Sequence, residues 1–132
     1  MEWSGGCLCG DLRYRVTGEP YWVGHCHCES CRRHTGSVMT TFAGFHEDQV
    51  VFTGAMPTRY STGDGVTRSF CSQCGSPVAY QSLDQAPQIH MQLGLFDDLE
   101  ALVPEDHSFL NEKVSWLRVD GHLPESGWVR ED

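Results

Sequence analysis

No stretch of this sequence approaches the roughly 18 consecutive apolar residues that a membrane-spanning helix needs. Its first ten residues, MEWSGGCLCG, hold neither a basic lead-in nor an apolar run of leader length. The expected setting is therefore cytoplasmic, without a membrane partner. Basic residues are scarce too: nine Lys and Arg stand against 18 Asp and Glu, a formal net charge of −9. A chain so charged repels a phosphate backbone, so nucleic acid is not expected as a partner. Internal repeats and low-complexity segments are missing, which excludes solenoids and biased tails. The 132 residues, 39% of them hydrophobic, suit one domain over 1–132 that buries roughly two-thirds of its unfolded surface.

Helical periodicity is also in short supply. Two short candidates exist: CESCRRHTG, where Gly36 can cap one or two turns, and DDLEAL at 97–102, whose acids suit a helix N-terminus. Strand signals dominate instead. LRYRV at 12–16 alternates apolar and charged residues, and QVVFTG is rich in β-branched and aromatic side chains. PTRYST, VTRSF and PVAYQS follow at meander spacing, with TGDG at 62–65 as a turn between two of them. IHMQLGLF puts Ile89, Met91, Leu93 and Leu95 on one face, which makes His90 an outward side chain rather than a ligand. VSWLRV reads as a last strand. The expected class is all-β with little helix.

What the chain does have is cysteine, seven in all, and every one falls in three short clusters. In GCLCG, Cys7 and Cys9 lie two apart, so an extended backbone would aim both at one ion, with flanking glycines allowing close approach. In FCSQCG, Cys71 and Cys74 have the spacing of a metal-binding knuckle. Together the two pairs supply the four thiolates of a closed structural zinc site, tying the N-terminal strand to a distant hairpin. The third cluster, HCHCESC, offers Cys26, Cys28 and Cys31 but no eighth cysteine. Three protein ligands and one open position form the arrangement of a catalytic zinc. The alternatives are a histidine as fourth ligand, His25 or His34 before His27, which would point the opposite way. Iron or an iron–sulfur cluster also takes four thiolates, but paired clips on a β scaffold favour zinc. A disulfide framework would strand the odd cysteine, and a redox dithiol would want a βαβ context that this chain lacks.

These motifs carry a resemblance. SGGCLCGDLRYRVTGEP, then HCHCESCRRHTGS, then FCSQCGSPVAY resembles the glutathione-dependent formaldehyde-activating enzyme family, also called centromere-protein-V-like, over about residues 4–124. PEDHSFLNEKVSWLRVDGHLP is similar to the family's closing pattern, although His122 is inserted into its Asp-Gly-Leu-Pro string. The resemblance implies a zinc-stabilised β-tent of coiled antiparallel sheets, like that of small Rab-binding exchange factors. It implies a structural zinc on Cys7, Cys9, Cys71 and Cys74, and a catalytic one on Cys26, Cys28 and Cys31. It also implies a carbon–sulfur lyase activity, S-(hydroxymethyl)glutathione synthase, with glutathione and formaldehyde as small-molecule thiol and aldehyde partners.

On that reading Arg32 and Arg33, beside the tripod in sequence, would hold a glutathione carboxylate, and His34 or His107 would shuttle a proton. The competing class is a non-catalytic, zinc-stabilised protein-binding module of the same fold. Its contact surface would be built from aromatics such as Trp22, Phe45 and Trp128.

Overall fold

The computed structural model describes residues 1–119 and 123–128, so Asp120, Gly121 and His122 of the closing motif lie outside the described residues. Strand β1 (Glu2–Gly6) turns Trp3 inward and pairs antiparallel with β2 (Arg13–Thr17), where Tyr14 and Val16 are buried between exposed partners. β2 then pairs with β5 (Val50–Phe52) to complete a three-stranded sheet. A second sheet has seven strands in the order β10 (Asp106–Ser108), β3 (Trp22–Cys26), β4 (Thr40–His46), β9 (Gln88–Gln92), β8 (Pro77–Ser82), β7 (Val66–Phe70) and β6 (Thr58–Ser61). All its neighbours run antiparallel except β10, which is parallel to β3. The protein is mainly β, with two sheets and one short α-helix among the described residues.

Because side chains alternate across a strand, the long sheet has two faces with different tasks. Val23, Ala43, Phe45, Ile89 and Met91 join Trp3, Tyr14 and Val16 of the first sheet in the main buried cluster. On the other face, Trp22, Gly44, His90, Tyr80 and Arg68 are successive register partners across β3, β4, β9, β8 and β7. This row supports a smaller cluster of Cys26, Cys28, Cys31 and Phe42, flanked by Trp22, Tyr80 and Phe109. Gly44 is required there: a Cβ would come within 2.7 Å of the Tyr21 ring, which lies over it.

Helix α1 (Glu29–Thr35) begins at Cys28 and ends at Gly36, whose φ of 77° is the left-handed cap that glycine adopts without strain. Other segments depart from the sequence reading. DDLEAL forms no helix, because Asp97 is committed elsewhere: its backbone N–H donates to Ser4 O, and its carboxylate accepts from Ser4 Oγ and Arg13. VSWLRV is not a strand. The Lys113 ammonium donates to the carbonyls of Val114 and Leu117, closing a turn that leaves Trp116 exposed. IHMQLGLF is a strand only to Gln92, after which Leu93–Leu95 make a 3-10 turn closed by Phe96 N–H on Leu93 O.

Candidate metal centres and the adjoining cavity

The first cysteine pair does not lie in an extended segment. Cys7 follows β1 into a tight turn in which Gly10 N–H donates to Cys7 O, and the turn rather than strand alternation brings Sγ of Cys7 and Cys9 to 3.5 Å. Leu12 N–H donates to Cys7 Sγ at 3.3 Å. Cys71 and Cys74 occupy the β7–β8 turn, where Gly75, with φ 80°, donates to Cys71 O at 2.8 Å. Cys9 Sγ and Cys71 Sγ are 3.9 Å apart, and all four sulfurs lie within 4.8 Å of one another.

Sulfurs at the corners of a tetrahedron with ~2.3 Å zinc–sulfur bonds stand ~3.8 Å apart, so this donor set fits a closed zinc site. The separations are far beyond a disulfide bond of ~2.05 Å, and all seven cysteines are free. The Cys74 thiol is held down to about 5, chiefly by the Ser76 hydroxyl 3.2 Å away, then by backbone amides of Ser76 and Cys9. Donors aimed at a sulfur favour its thiolate, the form that binds metal.

The second centre is built by the end of β3 and the start of α1. Cys26 is the last residue of the strand, Cys28 caps the helix by accepting Cys31 N–H on its sulfur at 3.3 Å, and Cys31 sits in the first turn. Cys26 Sγ is 3.6 Å from Cys31 Sγ, the three sulfurs lie within 4.8 Å of one another, and all three residues are buried. Hydrogen bonds from Cys26 and then Cys31 push the Cys28 thiol down to about 2, while those with Cys28 and then Cys31 push Cys26 up. Cys28 is therefore the thiolate of the cluster, which gives it one negative charge before any metal binds, and the donor set fits zinc with three protein ligands.

No histidine joins this cluster among the described residues. His27 faces away from the tripod, its Nε2 2.9 Å from His107 Nδ1, and His25 Nδ1 is 2.8 Å from Thr41 Oγ1. His25, His27 and His107 stack with ring centroids 5.1 Å apart on the face opposite Cys26, because β10 pairs His107 directly with His25. Burial, then the neighbouring His107, holds His27 down to about 4. His34, half-buried on α1, has both ring nitrogens buried without a partner, and neither it nor His107 reaches the cavity described next.

That cavity, of about 640 Å³, has the three cysteines in its wall together with the rings of Tyr21, Trp22, Phe42, Tyr80, Phe109 and Trp128. Arg32 and Arg33 do not line it: the helix turn that points Cys31 inward turns them out, and Arg33 Nε pairs with Glu29 Oε2 at 2.9 Å in solvent. The basic group that does line it is Arg68, only 6% exposed, with Nη1 3.5 Å from Cys31 Sγ and its guanidinium 5.0 Å over the Tyr80 ring. Sequence reading passed over Arg68, since a lone arginine in VTRSF looks like a solvated strand residue until β7 pairs with β8. His90 does point away from the main core, yet it lies among Tyr21, Trp22, Phe42 and Tyr80 rather than in solvent. Burial holds it down to about 4, and its Nε2 lies 2.6 Å from Tyr21 Oη. The three aromatics of the binding-module reading do not form one exposed surface: Phe45 is fully buried, while half-buried Trp22 and exposed Trp128 both line the cavity.

Comparison with known proteins decides the family. Residues 2–112 match the family model described as "Glutathione-dependent formaldehyde-activating enzyme". The chain belongs to that family. An uncharacterized lyase of Schizosaccharomyces pombe is 24% identical over 129 residues, which span 90% of this chain and 93% of that protein. A crystal structure of a Rhodobacter sphaeroides protein superposes with a TM-score of 0.59 at 19% identity, covering 71% of this chain and 87% of the other, and so shares its fold. Both cysteine clusters lie within the matched residues. No helix of the described residues is long and apolar enough to cross a membrane.

Proposed function

We propose that this protein adds a thiol to a small aldehyde at the Cys26, Cys28 and Cys31 centre, with glutathione and formaldehyde as the pair that the family name suggests. One observation carries the reading: three buried sulfurs form a metal-sized tripod that no fourth ligand joins among the described residues, and all three cysteines line a cavity. The Cys7, Cys9, Cys71 and Cys74 quartet, by contrast, is complete and serves the fold. Zinc on the tripod would supply Lewis acidity and would favour a bound thiol as its thiolate.

The chain's own residues do the rest. The cysteines fix the reacting site at the cavity wall, and the aromatic rings exclude water that would compete with the thiol. In the addition the sulfur–carbon bond forms, the carbonyl π pair moves onto oxygen, and that oxygen takes up the proton the thiol gives up. His90, neutral because its folded value lies near 4, holds its Nε2 proton toward Tyr21 Oη while Tyr21 donates to Gln88 Oε1, which fixes one wall of the cavity. A cytoplasmic setting, where glutathione is abundant, suits this pair.

The test is exchange spectroscopy on glutathione and formaldehyde. Wild-type protein loaded with two zinc ions should speed their interconversion in proportion to its concentration, and Cys31→Ser should return the rate to that of the uncatalysed pair. A fully loaded wild type that leaves the rate unchanged would remove this reaction.

A further inference from the structure

A buried guanidinium needs a negative partner, since an isolated charge is costly to take out of water. Arg68 is buried, yet among the described residues it forms no ion pair with a carboxylate. The acid that senses it, Asp64, is exposed and is already engaged by the Thr62 hydroxyl and Val66 N–H. What Arg68 does touch is Cys31 Sγ, through one of its five N–H donors, and the Tyr80 face, which uses none of them. Its position is not accidental to the fold: the register Arg68↔Tyr80↔His90 places it in the row that floors the cavity. A tripod of three thiolates around one divalent ion has a net charge of about −1, which Arg68 offsets. Its other N–H donors have no hydrogen-bond partner among the described residues, and Arg68 lines the same cavity as the three cysteines.

We propose that Arg68 is the anion-holding residue of this cavity, and that its ligand is a negatively charged oxygen on a small molecule bound beside the cysteine tripod. The inference rests on the reaction proposed above for that site. Within that reaction two oxygens have the required chemistry: a carboxylate carried by the thiol substrate, and the carbonyl oxygen that becomes negative as sulfur adds to carbon. A planar fork holds either through paired N–H donors, which a lysine ammonium cannot reproduce. The surrounding rings add a further condition, for they favour an apolar or flat body behind the charged oxygen.

The probe is benzoate, with benzyl alcohol as a neutral molecule of similar shape, titrated calorimetrically into the zinc-loaded protein. Arg68→Met keeps the apolar stem over Tyr80, Arg68→Lys keeps the charge, and circular dichroism with zinc counting establishes that each variant is folded and loaded. Benzoate should bind wild type more tightly than Arg68→Met by about tenfold or more, with Arg68→Lys between them, while benzyl alcohol binds all three alike. Equal benzoate affinity in folded wild type and Arg68→Met overturns the proposal, and if only Arg68→Lys folds, an unweakened benzoate affinity there does so. Steady-state kinetics then separate the two oxygens. A raised KM for glutathione with kcat kept assigns a substrate carboxylate, and a lowered kcat with KM kept assigns the carbonyl oxygen. Wild type without turnover would sink the reaction alone, and the benzoate comparison would still decide Arg68.

Discussion

Cys28 performs two separable tasks, and substitution can split them. Its sulfur belongs to the tripod, and the same sulfur accepts Cys31 N–H as the cap of α1. Serine is a preferred cap but a poor substitute for a zinc thiolate, so Cys28→Ser should keep the helix and lose the metal. Its unfolding free energy, measured in the zinc-free state at this site, should stay within about 1 kcal/mol of the parent, whereas Cys28→Ala should lose about 1 kcal/mol more. A second residue-scale prediction concerns acid. The unfolded His90 value near 6.5 lies above the folded value near 4, so the unfolded state binds more protons between them and stability falls as pH drops through that window. Between pH 7.5 and 5.5 the His90 contribution is about 1 kcal/mol by linkage. His90→Gln keeps a donor for Tyr21 and does not titrate, so its urea midpoint should fall less over that range than that of wild type. At this scale the cysteines were legible because a metal site's ligand spacings are local. Arg68 and His90 were not, because what surrounds them is set by pairing between strands that the sequence places far from the tripod.

Among the elements, α1 shows how little helix is needed to shape a metal centre. Seven residues and their cap, Cys28, hold two of the three tripod sulfurs at helical spacing. Gly36 ends the helix with a positive φ and a backbone N–H on Arg32 O, so Gly36→Ala should cost about 1 kcal/mol in chemical denaturation, without steric conflict because nothing lies near the added Cβ. This helix was readable from a glycine after a basic last turn. The helix expected at 97–102 failed because acids that favour a helix start also serve as ion-pair partners, and Arg13 with Ser4 claims Asp97. The parallel pairing of β10 with β3 had no local signal at all, since the two strands are some eighty residues apart in sequence and only the assembled sheet brings His107 beside His25.

For the whole molecule, the quartet is the joint between the two sheets. It links the turn after β1 to the turn between β7 and β8, where Cys7 and Cys71 are themselves buried in the main cluster. Structural zinc binding in small metal-dependent folds is worth roughly 10–16 kcal/mol, as much as the roughly 5–15 kcal/mol that holds a typical domain folded. Cys71→Ser should therefore leave a chain without a cooperative thermal transition, and a strong chelator should do the same to wild type once it strips the quartet. The tripod joins only the end of one strand to the helix that follows it, so its metal should leave first and with little effect on the fold. The overall mainly β class followed from alternation and turn spacing, both local properties, whereas the division into two sheets with a cavity on the outer face of the larger one emerges only from register.

The division of labour between a sealed quartet and an open tripod is tested most directly by counting zinc per folded chain by mass spectrometry under native conditions. Wild type should carry two zinc ions and Cys28→Ser one, with an unchanged fold. A wild type that carries one, or a Cys28→Ser chain that unfolds or retains both, would contradict it.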